Sequence, residues 1–257
     1  MKTTNLYLIF FIFFSYNMHA QISSPGLGDG NTASWFALGL RQNLNKKDNI
    51  QLMTYMGMGL KSTPQNTMQL SKPAIFVVNQ EMYHQLNNHW EGSCAISYRK
   101  QYEYLPNKIT SEKLTTIQQE FRVYARMAYT FKISNIKLKQ TLRQEFRRFV
   151  DDHWKNTNEP LQLRTRFKSQ VSINLEPTQQ HQLTAGAEIL FAISKKQQTI
   201  QFSPLKYKEA RFSAFYTYKP KNTQIAMSVG YMNNLIHEKF PYSVHYASVD
   251  VVWINPF

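Results

Sequence analysis

Charged side chains recur at every second position through the middle of this 257-residue chain, and they are the residues best suited to bind or select a solute. Near the centre, for example, Arg164, Arg166 and Lys168 alternate with Thr165 and Phe167. Arginine and lysine side chains that line a water-filled passage select anions. In a narrow space they instead pair with carboxylates and fill it. The spacing therefore predicts either a charged pore lining or a plug of paired side chains.

The same spacing recurs in several segments and defines a set of candidate pore-lining residues. The set comprises Arg99, Glu120, Arg122, Arg126, Arg143, Glu145, Arg147, Arg164, Arg166, Lys168, Glu188 and Arg211. Glu81, Glu209 and Asp250 share the charged faces of their segments. An Arg or Lys at the lipid-facing midplane of a membrane barrel costs about 2–4 kcal/mol. We therefore expect all of these side chains to point into an enclosed interior.

The histidines do not indicate a catalytic or metal centre. They are His19, His84, His89, His153, His181, His237 and His245, and their spacing matches neither a set of metal ligands nor an evident Ser–His pair. Asp151, Asp152 and His153 could hold a cation, but a short acidic cluster in a loop is usually solvated. The glycines of residues 26–30 lack the spacing of a nucleotide-binding loop. We expect no cofactor, no metal site and no catalytic residue.

The charged residues must be positioned by β-strands. Residues 161–176, LQLRTRFKSQVSINLE, place polar and charged residues on one set of alternate positions and mainly apolar residues on the other. Successive side chains of a strand point to opposite faces, so this is a two-faced strand, whereas a helix would mix the two sets. At roughly 3.3 Å per residue it is about 50 Å long, and a tilted membrane-spanning strand needs only about 9–11 residues. Its length favours the wall of a barrel.

Ten further segments show the same alternation, so the chain is predicted to be all-β. They are residues 34–44, 49–60, 74–86, 90–104, 116–131, 136–150, 182–193, 207–219, 223–235 and 244–255. Short polar turns alternate with longer connections, among them residues 151–160, as in outer-membrane barrels. The predicted fold is a transmembrane antiparallel up-and-down β-barrel. An even strand number needs one more strand in residues 21–33, unless that segment threads the lumen, so we expect twelve strands, with ten as the alternative.

Residues 1–20 are predicted to be a signal peptide, followed by one barrel domain over residues 21–257. Lys2 precedes the short apolar run LYLIFFIFF, and the small residue Ala20 comes before the expected cleavage site. Apolar runs in the rest of the sequence are shorter than the roughly 20 residues of a membrane helix. A barrel needs no such run. The expected location is the outer membrane of a Gram-negative cell.

The composition leaves packing and backbone pairing as the sources of stability. Cys94 is the only cysteine, so an intramolecular disulfide is impossible. The formal net charge of +14 could suggest nucleic acid, but many of the charges lie at alternate strand positions rather than in runs. We therefore expect outer-membrane lipid as a partner and no nucleic acid.

The C-terminus and several inner segments carry a family resemblance. The last strand alternates and ends in Phe257, which resembles the signal that the barrel-assembly machinery recognises in outer-membrane barrels; Pro256 departs from that pattern. Together with Trp35 and the segments LRQEFRRF and LRTRF, the mature chain is similar to the uncharacterised outer-membrane barrel family known as domain of unknown function 2490. The resemblance implies a fold, a location and an assembly partner, but no catalytic residue.

Three functions are compatible with these observations. The first is a porin-like outer-membrane barrel, either structural or passing small solutes, with an Arg/Glu-rich lumen. The second is a lipid-modifying barrel enzyme, which would need a Ser or Asp paired with His on the lipid-facing rim. The third is a soluble exported β-sheet binding protein, whose apolar faces would form an internal pocket.

Overall fold

Eleven β-strands form a closed barrel in the part of the chain that the structure describes. The computed structural model describes residues 26, 32–62, 70, 72–105, 114–198, 201–237 and 241–257. The strands are β1 (Thr32–Asn43), β2 (Ile50–Lys61), β3 (Lys72–Gln85), β4 (Trp90–Leu105), β5 (Leu114–Ile133), β6 (Ile136–Asp151), β7 (Asn156–Asn174), β8 (His181–Lys195), β9 (Lys206–Tyr218), β10 (Ile225–Ile236) and β11 (Tyr242–Ile254). Within these ranges no helix is long and apolar enough to cross a membrane. The predicted signal peptide lies outside the described residues.

Sequential strands pair antiparallel, and the barrel closes by a parallel pairing of β1 with β11. This seam runs over ten residue pairs, from Thr32 opposite His245 to Arg41 opposite Ile254. The eleven strands expected from the alternation are all present. The expected even number of strands and the expected wholly antiparallel order are not found among the described strands, because β1 pairs directly with β11 and the two run parallel. Except for Gly26, residues 21–31 of the postulated extra strand lie outside the described residues.

Polar residues close the short turns at one end, here named the short-turn end. It carries the connections at residues 44–49, 86–89, 134–135, 175–180 and 219–224. Several turn residues adopt a positive φ, among them Asp48, Ser134 and Asn222, a conformation that small polar residues tolerate best. The hairpin between β5 and β6 has only two residues between its last paired positions, Ile133 and Ile136.

Part of one connection that the sequence predicts as a loop, residues 151–160, is a β-strand in the structure. The sequence pattern predicts a long connection at residues 151–160, but β7 already begins at Asn156 and continues through Pro160. The pairing of β6 with β7 shifts register between Arg148 and Val150, so Pro160 lies beside an irregular part of the ladder. A proline there costs no regular ladder bond. The connection is a tight turn instead, in which Asp151 Oδ1 accepts hydrogen bonds from the backbone N–H groups of His153 and Lys155.

Candidate functional site

The charged faces of the strands point into the barrel, and the apolar faces point outward. Arg122 and Glu145 are 1% and 0% exposed, whereas Val123 and Phe146 beside them are 56% and 48% exposed. All twelve candidate pore-lining residues lie on the inward side. They are Arg99, Glu120, Arg122, Arg126, Arg143, Glu145, Arg147, Arg164, Arg166, Lys168, Glu188 and Arg211. The barrel brings them together because β4 to β9 are consecutive neighbouring strands of its wall.

Glu145 is the centre of an ion-pair network. Its carboxylate lies 2.8 Å from Arg143 Nε, 2.7 Å from Arg166 Nε and 3.3 Å from Arg122 Nη1. These three arginines come from three neighbouring strands, β5, β6 and β7. A fully buried carboxylate requires such partners, because an isolated buried charge is very costly. The arrangement joins the three strands through one residue.

The network extends across β8 and β9. Arg166 Nη1 lies 2.9 Å from Glu188 Oε1, and Arg211 Nη1 lies 3.7 Å from the same oxygen. Arg211 also contacts Glu209 at 2.6 Å, and Arg164 lies 3.5 Å from Glu209. Acids and arginines therefore alternate around this part of the wall.

From Arg122, the network also extends toward the end of the barrel that lies opposite the short-turn end. Glu120 accepts hydrogen bonds from Arg122 Nε and from Arg147 Nε, both at 2.7 Å. The Arg147 guanidinium also contacts Gln162 and lies 4.6 Å from the ring centre of Phe149. Paired side chains thus occupy the part of the interior between β5 and β9 that lies away from the short turns.

A second cluster surrounds Glu81 on β3. Its carboxylate accepts hydrogen bonds from Arg126 at 2.7 Å, Tyr124 Oη at 2.8 Å and Ser93 Oγ at 2.6 Å. The Arg143 guanidinium lies 3.5 Å from the centre of the Tyr124 ring. Because Arg143 also binds Glu145, it connects the two clusters.

The remaining wall carries an apolar core on its inner side, next to buried polar residues such as Glu81, Asn234 and Asp250. Strands β1 to β3, β10 and β11 contribute a buried core that includes Trp35, Ile75, Val77, Val244 and Tyr246. Alternation alone could not distinguish this wall, because apolar residues occupy both faces of these strands. Gly26 lies at the boundary with the charged wall: a Cβ atom there would come 2.9 Å from Arg211 Nη2 and 3.5 Å from Glu209 Oε2. This residue therefore lies inside the barrel.

A cavity of about 110 Å³ remains between the ion-pair network and the short turns. It reaches Ile254, the last residue of β11, and Lys137, the second residue of β6, so it extends to the short-turn end. Nine basic residues line it: Arg41, Arg99, Arg126, Lys137, Lys139, Arg143, Arg166, Lys168 and Arg211. Among the described residues, only three acidic side chains do so: Glu81, Glu188 and Asp250. The cavity is therefore strongly cationic.

Arg99 differs from Arg166 and Arg211, which are also buried in the cavity wall and form ion pairs. It is 8% exposed, and among the described residues it has no ion-pair partner within 4 Å. Its Nε also lacks a hydrogen-bond acceptor there. Glu120 lies directly opposite Arg99 on β5 but beyond ion-pair distance. A buried guanidinium with no carboxylate in contact is costly unless an anion or water satisfies it.

The family described as protein of unknown function DUF2490 matches residues 12–241 of the chain. The chain belongs to the DUF2490 family. The predicted membership in this family is therefore confirmed, whereas the family description says nothing about a membrane location. No curated protein matches the chain. Because the family description assigns no activity, the function of this DUF2490 member must follow from its own side chains.

Asp151, Asp152 and His153 offer ligand atoms that lie within 4.8 Å of one another. Their contacts explain this without a metal ion: Asp151 caps the turn between β6 and β7, and His153 Nδ1 lies 2.7 Å from Asp152 Oδ1. The two residues beyond Asp151 are exposed. The cluster is a feature of the turn.

One pairing was missed by the sequence interpretation. On the outer face, Ser243 Oγ lies 3.4 Å from His245 Nε2. A Ser-x-His spacing on an alternating strand places both side chains on one face, so the signal was present in the sequence. The neighbours that complete the cluster come from β10 and depend on strand register.

Proposed function

We propose that this DUF2490 member is an outer-membrane β-barrel whose lumen admits small anions from the short-turn end and conducts them poorly. The observation that carries the proposal is the cationic cavity, in which buried Arg99 has no ion-pair partner among the described residues. A buried water needs about 10–15 Å³ of such free volume, so the cavity has room for several waters or one small oxyanion. The ion-pair network, which separates the cavity from the opposite end of the barrel, limits the passage of anions.

The outer surface supports the membrane location. Large apolar side chains are exposed around the middle of the wall, including Met56, Ile96, Leu142, Phe167 and Val229, each between 46% and 61% exposed. Soluble monomers rarely expose a continuous apolar surface of this extent. The same outward orientation argues against the soluble alternative, which requires the apolar faces to enclose a pocket.

Aromatic residues at the two ends of the wall fit the interfacial girdles of a membrane barrel. Trp90, Tyr129 and Trp253 are exposed near the short-turn end, and Phe121 contacts exposed Trp154 near the other end, with ring centres 5.7 Å apart. By analogy with bacterial barrels, the short turns are periplasmic. The C-terminal Phe257 then lies at that end and is 97% exposed, accessible to assembly machinery.

Planar-bilayer recording of the refolded protein tests the anion function. We expect a small conductance that favours chloride over potassium, and an Arg99→Met variant that loses most of this preference, because the unpaired charge is removed. Arg148→Met is the matched control, since Arg148 is exposed on the outer face of β6. Cation preference in the parent protein, or equal behaviour of the two variants, would contradict the proposal.

A further inference from the structure

Four polar side chains form a cluster on the outer face of β10 and β11. His245 lies directly opposite Asn233, and Tyr231 and Ser243 flank this pair on the same face. His245 Nε2 lies 3.4 Å from Ser243 Oγ, while Nδ1 lies 2.6 Å from Tyr231 Oη and 3.2 Å from the Asn233 amide. A serine within reach of a histidine that a third group orients is the arrangement of nucleophilic catalysis.

We propose that Ser243 and His245 hydrolyse acyl esters at the outer surface of the barrel. The reaction requires an unprotonated Nε2, so Nδ1 carries the proton and donates it to Tyr231 Oη. The Asn233 amide then turns its oxygen toward the ring, a rotation that exchanges the positions of its O and N atoms. Tyr231 and Asn233 are positioning residues for the imidazole. The 3.4 Å Ser–His distance is at the long end of a hydrogen bond, as is common without substrate.

The position of the cluster indicates the substrate class. His245 and Trp253 lie on the same face of β11, eight residues apart, or roughly 26 Å along the strand at about 3.3 Å per residue. With a tilt of about 40° this spans roughly 20 Å of membrane. Between them lie exposed Val249 and, on β1 directly opposite it, exposed Phe36. We infer that a glycerophospholipid places its ester at Ser243 and an acyl chain along this apolar surface.

The steps follow the serine-hydrolase scheme. Ser243 Oγ attacks the ester carbonyl carbon and transfers its proton to His245 Nε2. The tetrahedral oxyanion collapses, the bond to the alkoxy oxygen breaks, and the leaving lysolipid takes the proton from His245. Water then attacks the acyl-serine, giving one proton to His245, which returns it to Ser243 Oγ as the fatty acid leaves. Asn233 is a diagonal neighbour of Ser243, and we assign its amide N–H to the oxyanion.

Hydrolysis of p-nitrophenyl butyrate by the detergent-folded protein tests the Ser–His pair without any assumption about the membrane. We expect Ser243→Ala and His245→Asn each to lower kcat/KM at least about 100-fold, the usual minimum for a general base. His181→Asn is the matched control, because His181 Nδ1 also contacts a tyrosine, Tyr216, at 2.5 Å, and no described serine is hydrogen-bonded to the ring. Tyr231→Phe should shift the pH profile of kcat, which a purely structural contact would not do.

A fluorophosphonate reagent followed by peptide mass spectrometry gives a second readout. We expect labelling at Ser243 that His245→Asn abolishes and His181→Asn leaves intact. An unlabelled Ser243 together with an inactive parent protein would overturn the proposal. The lipid substrate depends on the proposed membrane location and is tested separately with phosphatidylcholine vesicles. Cleavage of the butyrate ester without release of fatty acid from vesicles would keep the Ser–His site and overturn the phospholipid assignment.

Discussion

Two buried arginines of the interior, Arg166 and Arg99, have different surroundings and should respond differently to the same substitution. Arg166 bridges Glu145 and Glu188 at 2.7 and 2.9 Å, whereas Arg99 has no ion-pair partner among the described residues. Removing one partner of a buried ion pair leaves the other charge uncompensated. Removing a charge that has no partner does not have this cost.

We therefore expect Arg166→Met to lower the free energy of unfolding in detergent by about 3–5 kcal/mol, and Arg99→Met to leave it unchanged or raise it. Urea unfolding of the two variants and the parent protein measures both effects. A loss of stability in Arg99→Met equal to that in Arg166→Met would show that Arg99 has a structural partner. The same pair of variants separates stability from the anion preference assigned to Arg99.

Lys219, in the turn after β9, should make stability depend on pH. Partial burial, together with the positive charges of Arg41 and Lys137, lowers the pKa of Lys219 from 10.5 to about 7. Between these values the unfolded chain binds more protons than the folded one, so stability rises with pH from about 7 to about 10. Below pH 7 the lysine is charged in both states and the full destabilisation remains.

We expect Lys219→Met to gain thermal stability at pH 6 relative to the parent protein and to show a smaller gain in Tm between pH 7 and 10. Thermal unfolding in detergent at several pH values checks this. Lys221→Met is the control, since Lys221 is exposed in the same turn. An identical pH dependence of the parent protein and Lys219→Met would contradict the assignment.

At the scale of elements, the contact between β1 and β2 depends on a glycine. The ring of Trp35 packs over Gly57, where a Cβ atom would lie 2.3 Å from two ring carbons. Trp35 is 2% exposed and belongs to the buried apolar core of this wall. Its strand also forms the parallel seam, so displacement of Trp35 disturbs the closure of the barrel.

Gly57→Ala should therefore lower stability by about 1–3 kcal/mol, the usual cost of overpacking. Gly92→Ala is a matched control in β4, because nothing lies within 4 Å of the added Cβ. Heat modifiability on gels and urea unfolding of both variants provide the measurement. Equal stability of the two variants would show that Trp35 can move without cost.

At the scale of the whole molecule, the wall separates an apolar outer surface from a charged interior. Cys94 reports on this directly, because it is exposed on the outer face of β4, next to Ala95, which is 6% exposed and points inward. A membrane location predicts that position 94 contacts lipid acyl chains and that position 95 does not.

In lipid vesicles we expect a bilayer-confined maleimide to label Cys94 of the parent protein strongly. The double variant Cys94→Ser, Ala95→Cys moves the thiol to the inner side and should be labelled weakly. Labelling yields by mass spectrometry give the comparison. Weak labelling of both, or recovery of the protein from the periplasm as a monomer that needs no detergent, would contradict the membrane location.

Strand alternation determined much of the fold and of the charged interior. Because side chains alternate with a period of two, residues 161–176 and their counterparts specified eleven strands, and the cost of exposing Arg166 to an apolar phase specified which face is inside. Family membership also followed from local segments. Each of these properties depends on residues that are close together in sequence. The inward face of a strand, for example, can be predicted from that strand alone.

Tertiary structure alone decided how the strands meet. The parallel seam, the position of Gly26 beside Arg211 and the burial of Arg99 without a described carboxylate partner depend on register between distant strands. The same is true of the contact between Asn233 and His245, which the pairing of β10 with β11 creates. Register couples residues far apart in sequence, and no periodicity within one segment records it. The sequence therefore determined the inside and the outside of this barrel, whereas the closed wall decided which inner charges are paired and which outer side chains are in contact.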